Sequence, residues 1–401
     1  MRTLFACCSS LFARQTKRGV ILSAAFAAFA NAESKDPYRT STVLALPFPA
    51  FLPHNRLIAR LPPTRIDTDG DHSTDARLSR IVRLLSDNAT VVISGTRIAE
   101  ELGTSRSEIW RAVQHLRELG VQIAGHLASG YQLEAVPDLL LPDILAPLVR
   151  GTIFAPSIHH YFRIGSTNVT AMQAAAAGEP EGAVFVAEQQ TAGRGRGGHT
   201  WDSAQSVGIY CSVVLRPQIS PVDALFLSLV TGIATAKAVE QTIGLHPDLR
   251  WPNDVLLGGR KFCGILTEMN AEPTRVRYVV LGVGINVNHT SFSGELGPIA
   301  TSLRMECGSQ CSRVDLTAAL LKSLDSEYRK FLDGGPGARS AILHEFESRS
   351  SFARSRYVQV EEDGGYEGVT EGLDHRGFLL VRTESGLRTV LSGGVRALDG
   401  K

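Results

Sequence analysis

The chain has 401 residues, more than one hydrophobic core usually supports, so two or three domains are expected. Apolar residues make up 43% of it and charged residues 20%, which is ordinary for a globular protein. The formal net charge of +1 excludes an overall field that would recruit nucleic acid or an anionic membrane, so such a partner needs a local patch.

Residues 1–75 are predicted to be a leader outside the folded domains. A basic pair precedes an apolar run over residues 20–30, and Ala30-Asn31-Ala32 has the form of a signal-peptidase site. The run is too short to cross a membrane, and a proline-rich stretch without periodicity follows it. Secretion is one alternative, but we expect a disordered leader or a start codon placed too far upstream, a cytoplasmic protein and no membrane partner.

Residues 76–136 are predicted to form a winged helix-turn-helix. A first helix shows apolar residues at helical spacing, a second follows Ser94 and closes on Gly103, and a third begins at Ser105 and ends at Gly120. The alternating segment after them turns at a Ser-Gly pair, as a hairpin does. This arrangement is typical of DNA-binding domains.

The third helix supplies the residues expected to contact DNA. Ser105, Arg106, Ser107 and Arg111 are predicted to enter the major groove of an operator, and a two-fold operator would require a homodimer. Glutamates nearly balance the arginines of this segment, although phosphate contact dominates protein–DNA affinity. A helical domain that no longer binds DNA therefore stays open as the alternative.

The prolines at 137, 142 and 147 are predicted to mark a connector, and the region 150–353 mixes strands and helices in the order of an α+β sheet domain. From residue 354 to 401, short alternating strands broken by glycines predict a small β-barrel. In the central region, strands are predicted around 183–188, 208–215, 255–257, 262–268 and 278–287, a hairpin turn at 258–259, and a long helix over 222–243.

A glycine- and arginine-rich loop, residues 193–198, follows the first of these strands. It matches the G-x-G-x-x-G dinucleotide fingerprint only in form, because a strand and not a helix comes after it. Glycines let the backbone fold closely over a ligand, and Arg194 and Arg196 would donate charge-assisted hydrogen bonds to phosphate or carboxylate oxygens. The loop is predicted to hold anionic groups, with a basic flexible surface loop as the alternative.

Three further stretches place polar groups beside strands. Asn253 and Asp254 suit an incoming amine or a hydrated Mg²⁺ carrying a triphosphate, unless they form a plain turn. Lys261 begins an apolar strand, where it is either solvated or reaches a ligand as a point charge. Asn286 lies in a buried strand with two glycines, which often mark the close approach of a ligand or another backbone.

Cysteine spacing gives no sign of a metal site. Cys307 and Cys311 form the only close pair beyond the N-terminus, and no partner pair stands at zinc-finger spacing. They are predicted to be ordinary reduced thiols, and no protein-held metal is expected. Cys211 and Cys263 lie in apolar runs and are predicted to be core residues.

Four motifs occur here in the order and spacing of biotin–protein ligases. Over residues 77–399 the chain resembles their bifunctional bacterial class, biotin ligase and biotin-operon repressor in one chain. The resemblance implies a central α/β ligase domain with a mixed sheet, similar to class II synthetases, and an SH3-like C-terminal barrel. The motifs are Gln190-Thr-Ala-Gly-Arg-Gly-Arg-Gly, Trp251-Pro-Asn-Asp, Lys261-x-x-Gly-Ile-Leu and Gly282-Val-Gly-Ile-Asn286.

The resemblance also implies roles for individual residues. Arg194, Arg196, Lys261 and Asp254 would be the catalytic residues, with Lys261 near the biotin carboxylate and the α-phosphate and Asp254 facing the acceptor lysine. Biotin would contact Ser166, Thr167, Asn168, Gln190, Arg194, Gly195, Arg196 and Lys261, and ATP would contact Trp201, Asn253 and Asn286.

The implied reaction has two steps. The biotin carboxylate attacks the α-phosphate of Mg-ATP, which gives biotinyl-5′-adenylate and pyrophosphate. A lysine of a biotin carboxyl carrier protein then attacks the mixed anhydride and releases AMP. Biotin would thus be both the substrate and the precursor of a corepressor.

Two alternatives to this function and one departure from the family pattern stay open. A lipoate–protein ligase shares the fold and the adenylation chemistry, and a ligand-sensing repressor without ligase activity would share the binding residues. The family's last strand often carries a glutamate and an arginine that assist the nucleotide site. This chain has Val395 and Asp399 at those positions, with Arg396 between them.

Overall fold

The computed structural model of the chain describes residues 20–21, 69–126, 129–135, 138–362 and 364–398. The predictions for the leader therefore lie almost wholly outside the described residues, and so do those for Pro137 and Asp399. A two-residue strand, β1 (Val20–Ile21), pairs with the central sheet.

The N-terminal domain is a three-helix unit with a two-stranded wing, as predicted. The first helix begins at Asp69, ahead of the predicted start, in a polar stretch that shows no apolar periodicity. The third begins at the predicted N-cap, where Ser105 and Glu108 form a capping box. The elements are α1 (Asp69–Asp87), α2 (Gly95–Leu102), α3 (Arg106–Glu118), β2 (Ile123–His126) and β3 (Gly130–Leu133).

The connector predicted from its prolines contains a short helix, α4 (Pro142–Leu148). Pro142 stands in the first turn, where a helix does not need the missing N–H. Leu139 and Leu141 pack into the core of the N-terminal domain, whereas Leu140 packs into the central core. The connector is therefore held by both domains.

The central domain is built on a mixed sheet with the order β4–β5–β6–β10–β9–β8–β7. The pair β4–β5 is parallel and the other neighbours are antiparallel, so helices are not needed between most strands. The strands are β4 (Ile158–Tyr161), β5 (Val184–Ala187), β6 (Gly208–Leu215), β7 (Asp248–Arg250), β8 (Asp254–Leu257), β9 (Arg260–Ala271) and β10 (Val276–Asn286).

Helices of this domain cover the sheet. One stretch, Pro221–Ile243, is long and apolar enough to cross a membrane by composition, but most of it is buried inside the fold, as expected for a core helix. The helices are α5 (Thr167–Ala177), α6 (Leu225–Ile243), α7 (Leu303–Cys307), α8 (Arg313–Asp333) and α9 (Gly335–Ser348), with 3₁₀ turns at Arg196–Gly198, Pro221–Ala224 and Gly294–Leu296.

The C-terminal segment forms a five-stranded antiparallel sheet with the order β14–β13–β12–β11–β15. Its buried residues, Phe378 and Val395 among them, belong to the same hydrophobic core as α6. Trp251 also donates a hydrogen bond from Nε1 to the carbonyl of Gly377 at 2.9 Å. These contacts hold the C-terminal sheet beside the β7–β8 turn. The strands are β11 (Arg354–Val360), β12 (Tyr366–Leu373), β13 (Leu379–Thr383), β14 (Gly386–Val390) and β15 (Val395–Ala397).

Candidate active site

The four motifs meet at one cleft over the middle of the central sheet. The start of α5, the loop over residues 193–198, the β7–β8 turn and strands β6, β9 and β10 all contribute to it. Of the predicted substrate-binding and catalytic residues, only Asp254 and Asn286 do not line it directly. Those that line it are Ser166, Thr167, Asn168, Gln190, Arg194, Gly195, Arg196, Trp201, Asn253 and Lys261.

A network of uncharged polar groups occupies one end of the cleft. The backbone N–H of Thr167 donates to Gln190 Oε1 at 2.9 Å, and Gln190 Nε2 donates to Ser203 Oγ at 2.8 Å. Ser212 Oγ lies 2.8 Å from Thr167 Oγ1 and 2.6 Å from Asn168 Oδ1, and its single proton is shared between these two acceptors. Because Ser212, Thr167 and Asn168 are all buried, these hydrogen bonds fix their orientations.

Ser212 was not among the predicted site residues, although the sequence carries a signal for it. It is the one serine in the buried strand β6, and a buried hydroxyl needs a partner. Glu268 on β9 was missed as well, and it accepts a hydrogen bond from Asn168 Nδ2 at 2.9 Å. No local pattern marks Glu268, because its contact depends on how α5 lies across β9.

Three strand glycines make room for the side chains of the cleft. Gly264 and Gly284 are direct partners across β9 and β10, and the Trp201 ring lies over both of them. A methyl group at Gly284 would come within 2.6 Å of Trp201 Nε1, and one at Gly282 would collide with the Asn168 amide. The close approach predicted for these glycines is thus made by side chains and not by another backbone.

The arginine loop closes on the C-terminal sheet through Arg196. Its Nη1 donates to Asn253 Oδ1 at 2.8 Å, and its Nη2 donates to the Gly393 carbonyl at 3.2 Å. Burial lowers the pKa of the Arg196 guanidinium, although the Asp254 and Glu361 carboxylates act against this. Arg194 is exposed at the rim. One arginine is therefore already fixed in place, and the other is open to solvent.

Lys261 and Asp254 form the charged centre of the site. Lys261 Nζ lies 2.6 Å from Asp254 Oδ1 and 5.4 Å from the centre of the Trp201 ring. Arg250 Nη2 contacts the other oxygen of Asp254 at 2.7 Å. Burial alone would raise the pKa of Asp254, but Lys261 and Arg250 hold it below its usual value. Asp254 is therefore a charged carboxylate directly behind the cleft.

Asn286 lies beyond the cleft, on the same face of β10 as Gly282 and Gly284. Its Nδ2 donates to the Thr301 carbonyl at 3.1 Å. Thr301 in turn donates its backbone N–H to the Lys261 carbonyl at 3.0 Å. In this conformation Asn286 anchors the segment that flanks Lys261.

Strand β15 contains Val395, one of the two positions at which the sequence differs from the family pattern. Val395 is a core residue, and Arg396 forms an exposed ion pair with Glu361 at 2.8 Å. The contribution of this domain to the cleft comes instead from the Gly393 carbonyl that binds Arg196.

Helix α3 and its N-cap present all four predicted DNA-contacting residues to solvent. Ser105, Arg106, Ser107 and Arg111 are exposed, and the Ser105 hydroxyl also accepts the backbone N–H of Glu108 at 3.2 Å as the helix cap. Trp110, which was not predicted as a contact, lies on the same outer face with 56% of its surface exposed. The sequence already showed Trp110 beside Arg111 and outside the apolar face of the helix, which is a signal for an exposed tryptophan.

Cys307 and Cys311 are free thiols, and so are the buried Cys211 and Cys263. Across the described ranges of the chain, no group of three or more His, Cys, Asp or Glu side chains is placed to hold a metal ion.

Comparison with known proteins identifies the class. Models described as an HTH domain, the biotin/lipoate A/B protein ligase family and the biotin protein ligase C-terminal domain match residues 77–132, 163–286 and 356–395. A biotin protein ligase from Aquifex aeolicus, solved in complex with biotin and ATP, superposes with a TM-score of 0.52 at 27% identity over 60% of this chain and 98% of its own.

The fold and the cleft thus define a biotin/lipoate-type protein ligase with an N-terminal helix-turn-helix domain. Within that class, the chain belongs to the bifunctional biotin ligase/repressor family. The Bifunctional ligase/repressor BirA of Bacillus spizizenii is 33% identical over 79% of this chain and 97% of its own length. Its Escherichia coli counterpart is 29% identical over 75% and 92%, and the biotin–[acetyl-CoA-carboxylase] ligase of Mycobacterium tuberculosis is 37% identical over 57% and 83%.

Proposed function

We propose that this chain activates biotin with ATP as biotinyl-5′-adenylate and transfers it to a lysine of a biotin carboxyl carrier protein. The observation that carries the proposal is a single cleft that joins an uncharged polar end, around Thr167 and Ser212, to a cationic end at Lys261 and Arg196. A molecule with a neutral polar head and a carboxylate tail fits that division of the cleft.

The polar end favours biotin over lipoate. The ureido group of biotin offers one carbonyl acceptor and two N–H donors, whereas the dithiolane of lipoate offers none of comparable strength. Hydroxyls of Thr167 and Ser212 and the amide of Asn168 can satisfy both kinds of group. A ligand head that can hydrogen-bond with these buried groups is therefore favoured over one that cannot.

In the first step, Lys261 and Arg196 neutralise the negative charge that develops as the carboxylate attacks the α-phosphate. We assign ATP binding to Trp201, Asn253 and Asn286, of which Asn286 lies just beyond the cleft and holds the Thr301 carbonyl in this conformation. Mg²⁺ enters with ATP, held chiefly by phosphate oxygens and water. Arg194, exposed at the rim, completes the closure of the loop over the adenylate and keeps water from the anhydride.

In the second step, Asp254 orients the incoming lysine amine. The amine nitrogen forms a bond to the biotinyl carbonyl carbon, the bond from that carbon to the phosphate oxygen breaks, AMP leaves, and the amine gives one proton to Asp254. Since Asp254 is paired with Lys261, it becomes available only when Lys261 turns to the adenylate phosphate. The ion pair thus links the two steps.

The test is incubation of the chain with Mg²⁺, ATP and a carboxyl-carrier domain, with biotin in one reaction and lipoate in the other. Streptavidin-reactive carrier is expected only with biotin. Lys261→Ala and Arg196→Ala are expected to impair adenylate formation or retention, while Lys322→Ala, an exposed lysine on α8, retains the activity. Lipoylated carrier in place of biotinylated carrier would establish the alternative ligase.

We further propose that the winged helix binds an operator as a homodimer and that biotinyl adenylate is the corepressor. The exposed Arg106, Ser107 and Arg111 and the helix-turn-helix match at residues 77–132 support this. We also propose a cytoplasmic location. The proposed domain boundaries are 76–136, 150–353 and 354–401, except that the first helix of the N-terminal domain begins earlier, at Asp69. Failure to shift the promoter of its own biotin genes at low salt, with biotin and ATP present, would reject the repressor activity.

A further inference from the structure

Two cysteines outside the cleft lie against each other. Cys307 ends α7, Cys311 lies just before α8, and their sulfur atoms are 3.5 Å apart. Cys307 is partly exposed, whereas Cys311 is only 7% exposed. A disulfide bond is about 2.05 Å long, so the sulfurs need to approach by only about 1.5 Å to form one.

We propose that Cys307 and Cys311 are a thiol modification site, which a low-molecular-weight disulfide oxidises to an intramolecular disulfide that slows the ligase. The placement gives the two thiols different tasks. Cys307 can be reached from solvent and acts as the attacking thiol, and Cys311, buried behind it, resolves the mixed disulfide.

The surroundings of the two sulfurs match these tasks. Partial burial acts to raise the pKa of Cys307, but hydrogen bonds with Ser309 and Cys311 outweigh it and lower the pKa of this thiol. Burial, together with the neighbouring Cys307, raises the pKa of Cys311 to about 12. Because the thiolate is the nucleophile, Cys307 reacts first. The core thiols Cys211 and Cys263, whose pKa burial raises to about 12, are not expected to react.

The exchange is balanced with glutathione disulfide as the oxidant. The Cys307 thiolate attacks one sulfur of glutathione disulfide, an S–S bond breaks, and one glutathione thiolate leaves. Cys311 then loses its proton and attacks the Cys307 sulfur, and the second glutathione leaves. Two protein thiols are oxidised, and one glutathione disulfide is reduced to two glutathione molecules.

Formation of the disulfide should move Cys307 and not Cys311. Asn288, two residues beyond the end of β10, holds the backbone of Cys311 from both sides, since its Oδ1 accepts the Cys311 N–H and its Nδ2 donates to the Cys311 carbonyl, each at 2.9 Å. Cys307 has no comparable backbone clamp from a strand and sits at the end of a helix of five residues. The displacement therefore passes into α7.

Helix α7 is joined directly to the cationic end of the cleft. Glu306, next to Cys307, accepts a hydrogen bond from Arg260 Nη2 at 2.7 Å and another from the Thr301 hydroxyl. Thr301 donates its N–H to the Lys261 carbonyl at 3.0 Å. A shift of α7 therefore disturbs the backbone on both sides of Lys261, which explains how oxidation would slow adenylate formation.

The experiment treats the full chain with excess glutathione disulfide and follows the tryptic peptide of residues 305–313, which contains both thiols. We expect this peptide to lose the mass of two hydrogens, and the initial rate of adenylate formation to fall about threefold or more and to recover with dithiothreitol. Cys311→Ser should trap glutathione on Cys307, and Cys307→Ser should leave Cys311 unmodified. Both variants keep the reduced wild-type rate, since neither side chain is part of the cleft.

Each other result contradicts a stated part of the proposal. Thiols that stay reduced in residues 305–313 reject the modification site, and stable glutathione on Cys307 of the unsubstituted chain rejects the resolving role of Cys311. A closed disulfide with an unchanged rate rejects the connection to Lys261. The inference about activity rests on the proposed ligase function, but the mass measurement does not, so the two failures can be distinguished.

Discussion

Lys261 Nζ and Asp254 Oδ1 lie 2.6 Å apart, and each belongs to a different step of the proposed reaction. The lysine is suited to neutralise the carboxylate and phosphate, and the aspartate is suited to orient the acceptor amine. Arg250 keeps Asp254 partnered and charged when Lys261 turns away. The position of the Lys261 side chain, on Asp254 or on the phosphate, therefore decides whether Asp254 is available for the second step.

Asp254→Asn is expected to impair transfer more than activation. The amide keeps the shape but accepts the amine proton poorly, so transfer from preformed adenylate should slow by about 100-fold. Lys261 remains available to the phosphate, and adenylate formation should stay near the wild-type rate. Single-turnover measurement of each step tests this, with Asp143→Asn as a control that changes only an exposed carboxylate near Arg83. Equal losses in both steps would assign Asp254 a purely structural role.

Gly284→Ala should damage the nucleotide side of the cleft. The added methyl would lie 2.6 Å from Trp201 Nε1, so the ring has to leave its place over β10. A displacement of about 1 Å near the reacting groups can cost about 10²-fold in rate, and we expect a loss of that order in kcat/KM for ATP. Gly337→Ala on α9 is the control, because its added methyl meets no atom within 4 Å. Wild-type kinetics for Gly284→Ala would mean that Trp201 has no part in ATP binding.

Stability should fall in acid through Glu188. Burial alone would raise its pKa, but the Arg313 guanidinium, 2.7 Å away, and His160 lower it to about 2. A folded pKa below the usual 4.5 adds stability that is complete above 4.5 and is lost as the pH falls toward 2. The amount is on the order of 3 kcal/mol, and urea unfolding at several pH values measures it.

The matched variants for this acid dependence are Glu188→Gln and Glu295→Gln. Glu188→Gln should be less stable near neutral pH, since it removes the buried carboxylate 2.7 Å from Arg313 and leaves that guanidinium with Asp138 as its charged partner, but its stability should change less in acid. Glu295 is exposed, and its variant should keep the wild-type pH dependence. A Glu188→Gln curve parallel to the wild-type curve would show that other groups control the acid response.

Arg111→Ala should weaken operator binding in a salt-dependent way. If Arg111 contacts a phosphate, its loss weakens binding to all sequences alike and reduces the slope of log K against log salt by about 1. Electrophoretic mobility shifts across a salt series measure both quantities. Arg83→Ala is the control, because that arginine is paired with Asp143 at 3.0 Å, away from α3. An unchanged slope would remove Arg111 from the interface.

The sequence was most informative where a structural rule is local. The cap at Ser105 and the Gly258-Gly259 turn depend on neighbouring residues, and both lie where the sequence predicted them. Strand β6 was predicted with its observed ends because its sequence is a short, mostly apolar run flanked by turn signals. All of its residues are buried in the fold. The start of α1 and the helix α4 were missed, because polar residues and prolines hide helical periodicity.

Contacts within the cleft were harder to predict, because they depend on the order of the strands. Ser212, Asn168 and Glu268 meet only because β10 lies between β6 and β9 and the start of α5 lies over β10, where Asn168 reaches both neighbouring strands. The sequence predicted which residue types belong to the site. It did not show that Lys261 neutralises Asp254 before substrates bind, since that pairing depends on the register of β8 and β9.

The central claim, that one cleft joins biotin to AMP, is tested most directly without any carrier protein. The purified chain is incubated with biotin, ATP and Mg²⁺, and the bound small molecules are then extracted and identified by mass spectrometry. We predict biotinyl-5′-adenylate retained on the protein, with release of an equal amount of pyrophosphate and little adenylate retained by Arg196→Ala. Unchanged ATP, or ADP and phosphate without adenylate, would contradict the proposed function.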